Sequence, residues 1–259
     1  MISKDELLLK ATQLITTMDV PASHIEAVHQ TLNTPFKPFA VNRTTVAAHI
    51  DHTILAFDAK QHDIEKICNE ADDYHFGAVC VNPVWVPRVY EYRKYLRAGF
   101  KIAAVIDFPL GASTANARRE EASDSLKNGA DELDIVISIG KLKSGHYRAV
   151  YELLKAAIEP GGYTKVILEM SALNDDEKIA AALIAILAGA HMVKTSTGVN
   201  GKAVEDDVRL LRLIAGGKLG VKAAGGIRSI DTAKAMFHAG ADRIGASASV
   251  EIINMLGGE

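Results

Sequence analysis

The amino-acid sequence predicts an α/β fold, a (β/α)8 TIM barrel with an N-terminal helical extension. Eight short apolar runs alternate with amphipathic stretches of helical spacing, and this alternation implies parallel strands joined by right-handed crossovers. The length of 259 residues matches the size of such a barrel. An open, doubly wound sheet is the alternative architecture, but the chain lacks the GxGxxG motif of its dinucleotide-binding form.

The barrel is predicted to begin at residue 46. Its eight strands are predicted over residues 46–53, 77–83, 101–109, 131–138, 165–171, 192–198, 220–226 and 243–247. Three of the helices between them end at Gly129, Gly189 and Gly240, just before a strand. Glycine is favoured after a helix because the chain there adopts a left-handed conformation. We therefore expect a positive φ angle at each of these three positions.

The residues before the barrel are predicted to form a helical lead-in. Residues 4–17 carry apolar side chains at helical spacing and predict a first helix. Residues 19–45 are polar and contain three prolines, which predicts a short helix and an irregular segment. We expect this second segment to cover the bottom rim of the barrel. Residues 1–259 are then one domain, composed of a lead-in over 1–45 and a barrel over 46–259.

Composition and charge exclude several classes of function. The chain is 48% hydrophobic with a net charge of −3, which argues against a nucleic-acid-binding protein. It contains no secretory signal and no apolar stretch long enough to cross a membrane. Cys68 and Cys80 form neither a disulfide framework nor a CxxC motif, so a cytoplasmic protein is expected. His49 and His52 lack further residues at ligand spacing, so we expect no metal site.

Charged residues on three predicted strands are expected to point into the barrel. Leu133 and Ile135 of the fourth strand share the face that should meet the helices, which turns Asp134 inward. The same alternation turns Lys194 of the sixth strand and Lys222 of the seventh strand inward. An unpaired ammonium group in such an interior would be costly to desolvate. The three side chains are therefore predicted to meet.

This arrangement has a structural and a catalytic interpretation. A buried ion pair between one lysine and Asp134 could fix the register of the barrel. Alternatively, the ammonium group of Lys222, together with partial desolvation, could lower the pKa of Lys194. Lys194 would then be a neutral, nucleophilic amine near neutral pH. Because two lysines accompany one acidic partner, we favour the catalytic interpretation.

Five motifs resemble those of the deoxyribose-phosphate aldolase family. They are HIDHTIL (49–55), AVCVNP (78–83), ADELDIV (130–136), MVKTSTG (192–198) and VKAAGGIR (221–228). They occur in the order of the family and at compatible spacing. The resemblance runs from about residue 46 to residue 255. It implies an aldehyde-lyase that reversibly cleaves 2-deoxy-D-ribose 5-phosphate to acetaldehyde and D-glyceraldehyde 3-phosphate, without a cofactor.

The resemblance also implies roles for individual residues. Lys194 is the Schiff-base lysine, Lys222 lies beside it, and Asp134 joins Lys222 in proton transfer. Cys80 is expected near the pocket as part of a neighbouring wall, since no histidine or acidic partner supports a nucleophilic role. The segment around residue 52 is expected to line the sugar end of the site, through Asp51 and Thr53.

The phosphate group of the substrate has its own predicted site. Barrels often bind phosphate at the loops after strands 7 and 8, where glycines let the backbone come close to an anion. The predicted contacts are Gly225, Gly226, Gly245 and Ser247, with Thr197 and Gly198 after the sixth strand. Ordinary turns between strand and helix are the alternative interpretation.

Three positions depart from the family pattern. Met170 replaces a threonine, Val199 replaces a frequent lysine, and Ala248 stands where a second serine is common. These departures put catalytic efficiency and substrate affinity in question more than the type of reaction. Other functions therefore stay open: a different Schiff-base aldolase or transaldolase-like enzyme, a sugar-phosphate isomerase, and a non-catalytic sugar-phosphate-binding protein. A homodimer or a larger homo-oligomer is compatible with the sequence.

Overall fold

The computed structural model describes residues 2–256 and has the predicted barrel fold. Eight parallel strands pair in sequence order, and β8 closes on β1. The strands are β1 (Ile50–Ile54), β2 (Ala78–Val81), β3 (Lys101–Ile106), β4 (Glu132–Val136), β5 (Tyr163–Ile167), β6 (Met192–Lys194), β7 (Gly220–Ala224) and β8 (Arg243–Ala246). The predicted fold class is confirmed, and the open sheet is excluded.

Nine helices of the described chain surround the strands, and three precede them. The preceding helices are α1 (Lys4–Met18), α2 (His24–Asn33) and α3 (Arg43–Ala48). The helices between and after the strands are α4 (Gln61–Asp73), α5 (Val86–Leu96), α6 (Ala115–Lys127), α7 (Ile139–Lys143), α8 (Tyr147–Ile158), α9 (Asp175–Ala188), α10 (Glu205–Ala215), α11 (Ile230–His238) and α12 (Ser249–Met255). Gly129, Gly189 and Gly240 have φ angles of 106°, 93° and 111°, which confirms the expected left-handed turns.

The lead-in meets one expectation and differs from another. Helix α1 packs against α8 and α9 on the outside of the barrel. The segment after α2 lies at the bottom rim, as expected, where the Gly217 N–H just before β7 donates to the Thr34 carbonyl oxygen over 2.7 Å. Residues 46–48 are predicted to begin the first strand, but they form the end of α3, a helix whose N-terminus is capped by Asn42. Strand β1 starts at Ile50. The division at residue 45 thus falls within a helix, and the single domain stays a prediction.

The core has two layers with different composition. Outward-facing strand residues such as Val79, Leu133 and Val221 are fully buried between the strands and the helices. A small apolar cluster of Cys80, Ala103 and Val105 lies apart from this layer. The outer layer supplies the apolar burial that stabilises the fold, so the barrel interior can accommodate charged groups. Among residues 2–256, no helix is both long and apolar enough to cross a lipid bilayer.

Candidate active site

The carboxylate of Asp134 lies at the centre of a buried group of lysines. Lys194 Nζ and Lys222 Nζ each donate to Asp134 Oδ2 over 2.8 Å. Lys165 Nζ donates to the other oxygen, Oδ1, over 2.7 Å. Asp134, Lys165 and Lys222 are fully buried, and Lys194 is 3% exposed. Three amines from three successive strands therefore share one acid.

Strand register explains why these side chains meet. Asp134 on β4 is paired with Lys165 on β5, and Lys194 on β6 is paired with Lys222 on β7. Side chains of paired residues in a parallel sheet lie on the same face, here the barrel interior. The prediction that Asp134, Lys194 and Lys222 point inward is confirmed. Lys165 was missed, although the alternation along β5 places it on the inner face as well.

A second group of charged residues lies next to the first. Arg243 Nε donates to Asp51 Oδ1 over 2.7 Å, and Arg243 Nη1 contacts both oxygens of Glu132 at 2.9 Å. Asp51 also accepts a hydrogen bond from Lys222. Asp51 is fully buried and is absent from the lining of the cavity above Lys194. Asp51 is thus an ion-pair partner of Lys222, and its predicted place at the sugar end of the site stays a prediction.

The charges of the combined network balance only if one amine is neutral. Its basic members are Lys165, Lys194, Lys222 and Arg243, and its acidic members are Asp51, Glu132 and Asp134. Four cations would face three anions if every group were ionised. A surplus charge buried in a barrel is costly, and the usual outcome is that one group loses its charge through a shifted pKa.

Among the three lysines of the network, Lys194 alone has a pKa lowered from its ordinary value. Burial lowers the pKa of Lys194, the charge of Asp134 opposes this, and the charge of Lys222 lowers it further, so the pKa lies below its ordinary value. Burial would also lower the pKa of Lys222, but the charges of Asp134 and Asp51 outweigh it and raise the pKa. Lys165 behaves like Lys222, because Asp134, Asp51 and Glu132 raise its pKa against burial. Lys194 is thus the amine that gives up its proton most readily.

A cavity of about 380 Å³ opens above Lys194. The turns after β1, β6, β7 and β8 line it, together with Phe108 after β3. Its lining includes eight of the predicted residues: Thr53, Lys194, Thr197, Gly198, Gly225, Gly226, Gly245 and Ser247. The backbone is able to come close to a ligand here, since Gly198, Gly225 and Gly226 have φ angles of 85°, 105° and 72°. These residues therefore do lie around one cavity, and their roles in binding stay predictions.

Thr197 also lines the cavity, but its polar groups are already engaged. Its hydroxyl donates to Glu169, and its backbone N–H lies 3.3 Å from both oxygens of that carboxylate. The Thr197 hydroxyl oxygen accepts from the Val199 N–H over 3.1 Å. Glu169 is fully buried and was not predicted as a site residue. Thr197 and Glu169 thus shape the turn after β6, and the contact of Thr197 with substrate stays a prediction.

Cys80 lies behind the cavity wall. It is fully buried and packs with Leu55 and Phe108, which line the cavity. Burial raises the pKa of its thiol, so it is a poor nucleophile. This position agrees with the expected neighbouring-wall role. Cys68 is also buried, and both cysteines are free, as expected.

The positions that depart from the family pattern are at different distances from the site. Met170 is fully buried, and its N–H donates to the Thr195 carbonyl oxygen over 2.9 Å. Val199 lines the cavity and is 62% exposed. Ala248 precedes α12 and is absent from the cavity lining. Val199 is therefore the departure that a ligand in the cavity would meet.

Comparison with known proteins identifies the family. The model of the DeoC/LacD aldolase family matches residues 45–253. The deoxyribose-phosphate aldolase of Thermococcus gammatolerans is 49% identical over 213 residues, which cover 80% of this chain and 95% of that protein. The deoxyribose-phosphate aldolase of Streptococcus uberis is 47% identical over 209 residues, covering 80% of this chain and 94% of that protein.

Solved structures extend the likeness to the lead-in. A candidate deoxyribose-phosphate aldolase from Coccidioides immitis is 34% identical with a TM-score of 0.82, and the match covers 98% of both chains. The deoxyribose-phosphate aldolase of Aeropyrum pernix is 32% identical with a TM-score of 0.78, covering 92% of this chain and 99% of that one. Both the sequence and the fold lead to one conclusion: the chain belongs to the DeoC/LacD family of aldolases.

Proposed function

We propose that this protein is a deoxyribose-phosphate aldolase, an aldehyde-lyase that reversibly cleaves 2-deoxy-D-ribose 5-phosphate to acetaldehyde and D-glyceraldehyde 3-phosphate. The observation that carries the proposal is the sharing of Asp134 Oδ2 by Lys194 and Lys222 at the floor of a cavity lined by glycine-rich turns. An amine of lowered pKa in a closed, charged interior suits Schiff-base chemistry. The names of the relatives support the substrate.

Lys194 is the proposed nucleophile. Its neutral amine attacks the C1 aldehyde of the open-chain substrate, and loss of water gives a protonated Schiff base, an iminium ion. The iminium accepts the electron pair of the C2–C3 bond as this bond breaks, while the C3 hydroxyl loses its proton and becomes the aldehyde of D-glyceraldehyde 3-phosphate. The enamine left on Lys194 takes a proton at carbon, and water then hydrolyses the iminium to release acetaldehyde.

Asp134 and Lys222 are the proposed proton carriers. Lys222 donates a hydrogen bond to Asp134, and both side chains lie beside Lys194. A water molecule between this pair and the C3 hydroxyl of the substrate would carry the proton from the hydroxyl to the pair. Lys222 keeps its charge because Asp134 and Asp51 raise its pKa. It therefore has a second effect, since its charge lowers the pKa of Lys194.

The turns after β7 and β8 are the proposed phosphate site. Gly225 and Gly226 follow β7, whereas Gly245 lies within β8 and Ser247 follows it; all four line the cavity. Backbone N–H groups of such turns bind anions without a formal charge. The substrate would then span the cavity, with its aldehyde at Lys194 and its phosphate at the glycine turns.

A product assay tests the proposal. The purified protein is incubated with 2-deoxy-D-ribose 5-phosphate, and acetaldehyde is measured by coupled reduction. We expect acetaldehyde from the native protein and from Lys218→Leu, an exposed-lysine control, but none from Lys194→Leu. A panel of other sugar phosphates separates the proposal from a different Schiff-base aldolase, an isomerase and a binding protein. Binding of the substrate without release of acetaldehyde would refute the proposal.

We also propose that the protein forms a homodimer or a larger homo-oligomer in the cytoplasm, as a single domain. The Aeropyrum pernix relative is described as tetrameric, which supports an oligomer. The two free cysteines support a reducing compartment. Light scattering of the purified protein tests the oligomer: the mass of one chain at working concentrations would refute it.

A further inference from the structure

A buried chain of hydrogen bonds lies outside the barrel wall, behind the turn of residues 245–248, here called the β8 turn. His52 on β1 faces outward and is 3% exposed. Its Nε2 lies 2.8 Å from Glu70 Oε2 on α4, and its Nδ1 lies 3.0 Å from Ser249 Oγ at the start of α12. Ser249 Oγ in turn lies 2.9 Å from the Ala246 carbonyl oxygen, at the end of β8.

The β8 turn is held at both ends by this chain. Residues 247 and 248 lie between Ala246 and Ser249. The hydrogen bond from the Ser249 hydroxyl to the Ala246 carbonyl oxygen therefore closes the turn. His52 is also the register partner of Ala246 in the sheet. The turn carries Gly245, Ala246 and Ser247, all of which line the cavity above Lys194. A group that fixes Ser249 therefore fixes part of the cavity wall.

Proton counting shows how His52 fixes Ser249. Burial lowers the pKa of His52, and the hydrogen bond and charge of Glu70 and the charge of Glu251 oppose this only in part. Lys66 pairs with the other oxygen of Glu70 at 3.7 Å. With its proton on Nε2, a neutral His52 donates to the Glu70 carboxylate and offers Nδ1 as an acceptor. The single Ser249 proton is then shared between His52 Nδ1 and the Ala246 oxygen.

We propose that His52 and Ser249 are positioning residues that hold the β8 turn in the shape that binds the phosphate of the substrate, with Glu70 orienting the imidazole ring of His52. They contact neither Lys194 nor the cavity, so they act through the turn. The inference rests on the proposed function, because it assigns phosphate binding to this turn. It adds a specificity element outside the barrel, which favours phosphorylated over unphosphorylated aldehydes.

Four single variants, and the double variant that combines Ser249→Ala with His52→Ala, test the inference. Ser249→Ala removes the hydroxyl, and His52→Ala removes its partner. His52→Asn is the conservative variant, since its amide occupies the position of the imidazole Nδ1 and keeps a partner for Ser249. Val79→Ala is the matched control, because Val79 is the register partner of His52 on β2, equally buried and apart from the cavity.

Binding of inorganic phosphate is measured by calorimetry, and KM is measured for 2-deoxy-D-ribose 5-phosphate and for 2-deoxy-D-ribose. We expect Ser249→Ala and His52→Ala to weaken phosphate binding and raise KM for the phosphorylated sugar about three- to tenfold, the effect of one lost hydrogen bond. The double variant should lose no more than either single one, since the residues act as a unit. His52→Asn and Val79→Ala should bind phosphate like the native protein, and KM for 2-deoxy-D-ribose should not change.

Native phosphate binding in Ser249→Ala and His52→Ala would overturn the inference. Equal losses with both sugars would also overturn it, because they would indicate a general loss of structure. Failure of the proposed function is a separate result: the native protein would release no acetaldehyde, while phosphate binding would still report on the β8 turn.

Discussion

Lys194 and Lys222 donate to one and the same oxygen atom, Asp134 Oδ2, and both distances are 2.8 Å. They are register partners on neighbouring strands, so the backbone itself keeps the two amines together. Their pKa values shift in opposite directions, because Asp51 also neutralises Lys222 but does not contact Lys194. The same carboxylate thus contacts one lysine whose pKa is raised and one whose pKa is lowered.

Replacing Lys222 with leucine should slow turnover and move its pH dependence. The charge of Lys222 lowers the pKa of Lys194, so its removal raises that pKa, and the acid limb of the pH–rate profile shifts to higher pH. Loss of a proton carrier should also reduce kcat by about 100-fold or more. Lys222→Arg keeps the cation and should keep the position of the acid limb. A native pH–rate profile in Lys222→Leu would remove Lys222 from the mechanism.

Replacing Asp134 with asparagine separates proton transfer from amine activation. The charge of Asp134 raises the pKa of Lys194, so Asp134→Asn lowers that pKa further and keeps the amine neutral. If proton transfer needs the carboxylate, cleavage should still fall by about 100-fold or more. The variant should also unfold more easily, by about 3–5 kcal/mol, because buried cations lose their partner. Cleavage at the native rate by folded Asp134→Asn would contradict the assignment.

Much of this site follows from strand alternation, which is a local property of the sequence. Alternation turns Asp134, Lys194 and Lys222 inward, and the same alternation along β5 turns Lys165 inward as well. Strand alternation does not predict the pairing of Asp51 with Lys222 and Arg243. This pairing depends on closure of the barrel, which brings β1 beside β8, and no local pattern contains that contact.

Other differences also arise from interactions between distant residues. The predicted sixth strand runs to Gly198, but β6 ends at Lys194, and beyond it the backbone N–H and the hydroxyl of Thr197 bond to the Glu169 side chain. Helix α1 was predicted correctly from its periodicity, whereas its position against α8 and α9 was not. Periodicity defines an apolar face but does not identify the surface that covers it.

Acid should destabilise the fold through Asp51. Burial would raise the pKa of Asp51, but the charges of Arg243, Lys222 and Lys165 outweigh it and lower the pKa. A carboxyl group with a lowered folded-state pKa stabilises the fold above its unfolded pKa of about 4, and this stabilisation is lost as the pH falls below that value. Asp51→Asn should therefore be less stable than the native protein at neutral pH, with a difference that shrinks in acid.

Urea unfolding at a series of pH values measures this effect. Asp58→Asn serves as the control, since Asp58 is exposed, and its free energy of unfolding should follow that of the native protein. A difference between Asp51→Asn and the native protein that stays constant from neutral to acid pH would argue against the ion pairs of Asp51.

Introducing lysine at position 199 should strengthen binding of the phosphorylated substrate. Val199 lines the cavity beside the glycine turns, and most of its side chain faces solvent, so a longer charged side chain fits there. An exposed ion pair with the phosphate would lower KM by about 1.5- to 5-fold. Val199→Gln gives a similar length without charge and should leave KM near the native value. An unchanged KM in Val199→Lys would place the phosphate away from this turn.

The central claim is that Lys194 is the neutral amine which forms a covalent link to the aldehyde. Its most direct test is reduction of the folded protein with borohydride in the presence of acetaldehyde, followed by peptide mass spectrometry. We predict one ethyl group on Lys194 and none on Lys165 or Lys222, which stay protonated. An adduct on either of those lysines in place of Lys194, or no adduct in the folded protein at saturating acetaldehyde, would contradict the account.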